Sequence, residues 1–197
     1  RELASLPLGV IGHFTGLLDG CVAEGVWPDQ LHLNVMPVLG KPSGGERCVA
    51  KAPILYRLWC KHTRTEVQDW ETEHTATWDT AKQGSSAMWP AMVRALKGEL
   101  ASGTGKVFGG SMWDLHKFFD LVRTTILIDK AVELEFPLAD LVMGLQMHSA
   151  LRFLQLKGAC SLPVSVNMSV LPGCALAIPF TRAYLKAEMI AFAAASG

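Results

Sequence analysis

Two stretches of this sequence have the residue types and spacing for chemistry on phosphates. In Gly109-Gly110-Ser111-Met112-Trp113-Asp114-Leu115-His116-Lys117-Phe118-Phe119-Asp120, a short apolar segment delivers a carboxylate to the edge of a double aromatic. Read as a strand end, this sets Asp114 against a core, where an acid must be neutralised and a divalent cation is the natural partner. Asp120 lies six residues on, about 240° round a helix or about 20 Å along a strand, so the two acids cannot share one ion by local geometry. Any further ligands must come from elsewhere in the chain. The plainer alternative is that Asp114 caps a helix beginning near Leu115, with Asp120 on its solvated face. The other stretch is Lys41-Pro42-Ser43-Gly44-Gly45-Glu46-Arg47-Cys48-Val49-Ala50. A guanidinium on such a glycine-rich tip can meet phosphate oxygens bidentately while backbone amides approach closely, although a solvated basic hairpin has the same composition.

The elements that must position these residues follow from periodicity. Val10, Ile11, Phe14, Leu17, Leu18, Cys21 and Val22 recur at helical spacing and predict an amphipathic helix packed on its neighbours, ended by Trp27-Pro28. Leu31 to Met36 alternates like a strand, residues 41–46 are dense in turn formers, and Arg47 to Ala50 resumes extended character, which predicts a β-hairpin with a basic tip. Pro53 opens a helix with Ile54, Leu55, Leu58 and Trp59 on one face, turning acidic before Trp70. A further helix runs from about Ser86 to Ala101, tolerating Pro90 in its first turn. Ser102-Gly103-Thr104-Gly105-Lys106 resembles a phosphate-binding loop only superficially, because Leu100 and Val107 stand where that motif needs Gly and Ser or Thr. Beyond the central stretch, residues 121–135 read as helix. Leu138, Leu141, Val142, Leu145 and Ser149 trace one face of another helix started by Pro137. A strand pair follows around Gly158, Arg152 to Lys157 and Leu162 to Val166, then a turn at Ser169 to Cys174 and a long Ala-rich helix, Ala175 to Ala195. Segregated helices with a few strands make this an α+β pattern.

With 197 residues, half of them hydrophobic, the chain can bury a real core. Its formal charge is zero, so no global field draws it to nucleic acid or an anionic membrane, and any such binding must be local. Local charge exists: Lys41, Arg47, Lys51, Arg57, Lys61 and Arg64 face only Glu46 in their window, and Glu66, Asp69, Glu71, Glu73 and Asp79 follow without a Lys or Arg among them. The cysteines, Cys21, Cys48, Cys60, Cys160 and Cys174, are odd in number and form no Cys-x-x-Cys pair, which reads as buried thiols in a reducing, intracellular compartment. Cys60, His62 and His74 fit no familiar ligand spacing. The apolar C-terminal run is interrupted by Arg182, Lys186 and Glu188, as expected of a core helix and not of a membrane span. No signal peptide is visible, and a first residue of Arg1 in place of Met reads as a piece of something longer.

Taken together, separated pieces of the chain resemble the fingers and palm of reverse transcriptases of the non-LTR retrotransposon and group II intron type, over roughly Leu31 to Lys186. Lys41 to Ala50, with Pro53-Ile54-Leu55-Tyr56-Arg57-Leu58-Trp59 after it, is similar to the family's fingers hairpin, usually Lys-Pro-x-Gly-Gly-x-Arg-Pro-Ile, with Cys48 replacing the usual Pro. By resemblance Arg47 grips the triphosphate of an incoming nucleotide and Lys41 assists. The stretch around Asp114 looks like the first palm motif, an Asp followed five residues later by an aromatic. On that match Asp114 is a ligand of both catalytic magnesium ions, Phe119 lies under the nucleotide sugar, and Asp120 is structural. Ser169-Val170-Leu171-Pro172-Gly173-Cys174-Ala175 resembles the Gly-x-Pro-Gln-Gly-x turn ahead of the long palm helix, where Gly173 and Pro172 position template and nucleotide. Gly173 aligns with the second glycine, whereas Ser169 stands at the first and Pro172 replaces Gln.

The resemblance implies an N-terminal helical segment at 1–30, a fingers-like region at 31–104 and a partial palm at 105–197 with a short antiparallel sheet. It implies an RNA template, a DNA primer and deoxynucleoside triphosphates as partners, Mg2+ as cofactor, and no membrane. The family's second palm motif, aromatic-x-Asp-Asp, has no counterpart in these residues, nor has a thumb. The expectation is therefore a fragment that does not extend a primer by itself, since one acid cannot hold two ions. Two other readings stand beside it: a non-catalytic nucleotide or nucleic-acid binding module, and a decayed element with no selected role.

Overall fold

The computed structural model describes residues 5–76, 79–80, 84–109, 115 and 117–196. The chain forms two compact units, Arg1–Val67 with Lys117–Gly197, and Gln68–His116. The fold is α+β and helix-rich, with one small mixed sheet.

In the larger unit, helix α1 (Leu8–Glu24) ends at Gly25, just before the expected stop at Trp27-Pro28; Gly25 has φ 65°, and its N–H returns to the Cys21 and Val22 carbonyls. The expected packing of its whole apolar face is not found. Cys21 is its buried residue, and Val10, Ile11, Leu17 and Val22 stay exposed, so the helix meets the core through its last turn. Strand β1 (Leu33–Gly40) pairs antiparallel with β2 (Glu46–Cys48), the predicted hairpin. Helix α2 (Ile54–His62) begins after Pro53, and α3 (Arg64–His74) follows it, belonging to this unit only as far as Val67. The predicted helix over 121–135 is broken: α5 (Phe118–Leu121) and α6 (Thr124–Glu133) are separated by Val122 and Arg123, both extended. Helix α7 (Leu138–Ser149) leads into β3 (Leu151–Leu156) and β4 (Ala159–Cys160), and α8 (Ala177–Ser196) carries Pro179 in its first turn, where it breaks nothing.

The sheet order is β2-β1-β3-β4. The expected antiparallel sheet is corrected to a mixed one, because β1 and β3 run parallel with Asn34 opposite Arg152 and Met36 opposite Leu154. A parallel pair needs a long crossover, and the helices between residues 40 and 151 supply it. Strands β3 and β4 close on Lys157-Gly158, at φ 48° and 85°, the two left-handed residues of a tight hairpin turn. The returning strand therefore starts at Ala159, earlier than the predicted Leu162. The bridge between Arg152 and Val164 carries one residue more on the returning side than the pairing of Gln155 with Cys160, a bulge that accommodates Pro163 and its missing N–H.

The core centres on Trp27, Tyr56 and Trp59, with Trp27 edge-on to both partners at 5.9 and 5.5 Å. Beside it α7 buries Asp140, Leu141, Met143, Gly144, Met147 and His148, not the predicted face, and Leu138 is 67% exposed. Two polar residues take core positions because each has a partner: Thr63 Oγ1 donates to Asp140 Oδ1 at 2.7 Å, and the Leu171 N–H donates to His148 Nδ1 at 3.3 Å. Helices α7 and α8 approach through Gly144, where a Cβ would lie 2.6 Å from Leu176 Cδ1 and 2.8 Å from Phe180 Cζ.

In the smaller unit, α4 (Met88–Gly103) holds Pro90 in its first turn. Met88, Met92 and Leu96 along it are exposed, while the Phe108 ring lies against Gly98. Among the described residues, no helix is long and apolar enough to cross a membrane.

Candidate functional site

The segment Ser169 to Cys174 is a junction to which distant parts of the larger unit attach by backbone hydrogen bonds. The Ser169 N–H donates to the Val122 carbonyl at 2.9 Å and the Val170 N–H to the Phe119 carbonyl at 2.8 Å. The break between α5 and α6 exposes these acceptors, since a continuous helix would have used them internally. From the other side, the Ala50 N–H donates to the Pro172 carbonyl at 2.9 Å. The reason lies in the strand. Val49 and Lys51 turn their N–H groups to β1, bonding to the Pro37 and Val35 carbonyls, so alternation turns that of Ala50 outward to the next available acceptor.

Backbone conformation and a buried cation hold the junction. Ser169 has φ 121° and Gly173 φ 91°, both in the region that glycine adopts freely. Space is tight at Gly173 as well, since a Cβ there would sit 3.1 Å from Val49 Cγ1. Ser169 accepts the strain against a specific contact: the Arg152 guanidinium donates from Nη1 to Ser169 Oγ at 3.0 Å and from Nη2 to the His148 carbonyl at 3.1 Å. Burial pushes the Arg152 pKa down, and the Asp120 carboxylate opposes that shift. Asp120, in the first turn of α5 and exposed, thus acts electrostatically on the group that anchors Ser169.

The hairpin tip is built by Gly44 and Gly45, at φ 87° and 83°, with the Lys41 N–H bonded to the Gly45 carbonyl. Arg47 stands opposite Leu39, and the bridge between Val35 and Lys51 keeps that register. Arg47, Val49 and Lys51 therefore share one face, with Arg47 about 7 Å along from the valine that touches Gly173. Arg47 and Lys41 are both exposed. Beyond the hairpin, at Ala50 to Ala52, opens a cleft of about 360 Å³ whose lining includes Lys51, Tyr56, Arg57, Cys60, Gly173 and Cys174.

Of the residues singled out from sequence, Gly173 and Pro172 lie at the junction, Arg47 and Lys41 on the hairpin leading to it, and half-buried Phe119 is tied to Val170 through its carbonyl. Asp114 lies outside the described residues, as does the strand end expected to carry it. Among the described residues no group of three or more His, Cys, Asp or Glu is arranged to hold a metal ion. Lys51, Tyr56, Arg57, Cys60 and Cys174, which line the cleft, were not among the site residues expected from sequence. The signal for the residues of α2 was their spacing, since Tyr56 and Cys60 at i, i+4 and Arg57 and Cys60 at i, i+3 are neighbours on the helix surface. No family model matches the chain, and no curated protein matches it.

Proposed function

We propose that the larger unit carries the nucleotide-facing surface of a template-directed nucleotidyl transferase of the reverse transcriptase kind, with deoxynucleoside triphosphate held by the 41–51 hairpin and template against the Pro172-Gly173 turn. One observation supports this above the others: the hairpin, the Phe119 stretch and the glycine turn, separated by tens of residues in sequence, meet at Ser169 to Cys174 through direct backbone hydrogen bonds. An exposed guanidinium on a glycine-built tip, on the same strand face as Lys51, suits a polyphosphate, and a small-residue wall at Ala50 and Gly173 lets a flat ring approach. RNA template and DNA primer are the partners this reading assigns, and magnesium with Asp114 would supply the metal chemistry.

The test is equilibrium binding of a deoxynucleoside triphosphate. Arg47→Ala is expected to weaken binding by about 1.5–3 kcal/mol, the loss of a charge-assisted contact, whereas Lys61→Ala, at the exposed end of α2, changes it little. Equal losses from the two substitutions would point instead to a diffuse basic patch, the binding-module reading.

A further inference from the structure

The floor of the cleft holds a chemistry that nucleotide binding does not use. Cys60 on α2 and Cys174 beyond the Gly173 turn both line it, more than a hundred residues apart in sequence, and each thiol acts electrostatically on the other. Both are free thiols. Tyr56, one turn before Cys60 on the same helix face, places its hydroxyl 3.1 Å from Cys174 Sγ. Below, the buried His148 ring lies edge-on to Phe180 at 5.1 Å. Its Nδ1 accepts the Leu171 N–H, which puts the proton of the neutral ring on Nε2. That nitrogen is buried without a partner at ordinary hydrogen-bond distance, and the imidazole acts on the Cys174 thiol. Cys174 thus has the Tyr56 hydroxyl in hydrogen-bond contact with its sulfur, with the Cys60 thiol and the His148 imidazole close enough to act on its charge.

The two thiols are not equivalent. The Cys60 thiol, with His148 and Tyr56 adding to it against burial, holds Cys174 well below the usual thiol range, while Cys174 and burial push Cys60 far up. Burial, with both cysteines adding, raises Tyr56 well above the usual phenol range, so it remains a donor. Exposure divides them in the same sense: Cys174 is half-buried at the cleft and open to attack on an oxidant, whereas Cys60 is buried behind it and suited to resolve.

We infer that Cys60 and Cys174 form an oxidisable dithiol, a site at which hydrogen peroxide writes a disulfide across the cleft. The Cys174 thiolate attacks one peroxide oxygen; the O–O bond breaks, hydroxide leaves, and the sulfur becomes a sulfenic acid. The Cys60 sulfur then attacks that sulfur, forming the S–S bond and breaking S–O, and the departing hydroxide takes the Cys60 proton as water. Two electrons pass from the dithiol to the peroxide, and no third ligand or cofactor is needed. The bond joins α2 to the turn bearing Gly173, the two walls of the cleft, whatever occupies it.

The test treats the unsubstituted chain with hydrogen peroxide at stoichiometric concentration, blocks remaining thiols with N-ethylmaleimide under denaturing conditions, and maps the peptides. Expected is a Cys60–Cys174 cross-linked peptide, reversed by dithiothreitol, formed at least about tenfold faster than oxidation of Cys160, which is fully exposed and lacks these neighbours. Oxidation of Cys160 first, with Cys60 and Cys174 still alkylated, overturns the inference, as does a mixed bridge to Cys48. In Cys60→Ala, Cys174 should stop at the sulfenic acid and be captured by dimedone. A natively melting variant that yields no adduct also overturns it, and the mapping of the unsubstituted chain decides the matter without any variant.

Discussion

Replacing Trp27 by alanine is expected to remove about 3–5 kcal/mol of folding free energy, the largest loss from any single truncation in the larger unit. Trp27 is 1% exposed, packs edge-on against Tyr56 and Trp59, donates from Nε1 to the Met143 carbonyl at 2.9 Å, and receives Gln146 Oε1 on its backbone N–H at 3.1 Å. It therefore ties the chain leaving α1 to both α2 and α7, and truncation opens a cavity that three rigid elements cannot close. Trp27→Phe keeps most of the packing but leaves the Met143 carbonyl without its donor, a loss of about 1–3 kcal/mol. Urea unfolding checks both values. A midpoint shift corresponding to less than about 1 kcal/mol for the alanine variant would contradict this account of the core.

Asp140 is expected to make stability fall as the pH rises. Its carboxyl is fully buried, with Thr63 Oγ1 donating to one oxygen and the other oxygen unpartnered. Burial pushes its pKa up from 3.8 to about 6, with the Thr63 hydrogen bond opposing and the Glu66 charge adding. The folded state thus holds the proton more tightly than the unfolded chain. Stability from this group is fully present below the unfolded value and is lost as the pH rises through about 6. Asp140→Asn keeps an acceptor for Thr63 without the charge. The variant should therefore gain on the wild type between pH 4 and 7, by up to about 3 kcal/mol at the upper end. A difference that stays constant over that range would show that the carboxyl is not buried as described.

Elements whose signal is local were legible in the sequence. The hairpin followed from alternation flanking Gly44-Gly45, α2 and α7 from Pro53 and Pro137 at their starts, and the end of α1, to within a few residues, from Trp27-Pro28. Features set by distant partners were not. In Leu151 to Leu156 alternation sets Arg152 on one face with Leu154 and Leu156, yet Arg152 is the buried one and Leu151, Leu154 and Leu156 are exposed, because Ser169 and the His148 carbonyl supply acceptors that no local pattern reveals. The break at Val122-Arg123 was hidden for the same reason: its residues are compatible with helix, and it is the pairing of Arg123 with Met168 that draws them out. At the site, Gly173 was legible because a turn demanded it. Ser169 reads as a mismatch in sequence, and its φ of 121° marks it as a position with the backbone of a glycine. The pairing of Cys60 with Cys174 depends on the α2 face meeting the turn, which spacing alone cannot encode.

The claim that the hairpin and the glycine turn form one nucleotide-facing surface is tested most directly by amide hydrogen exchange with and without a deoxynucleoside triphosphate. Exchange is expected to slow in two segments at once, residues 41–51 and 169–174, and both effects should vanish together in Arg47→Ala. Slowing confined to the hairpin, or absent from both segments at triphosphate concentrations well above those of the cell, would contradict it.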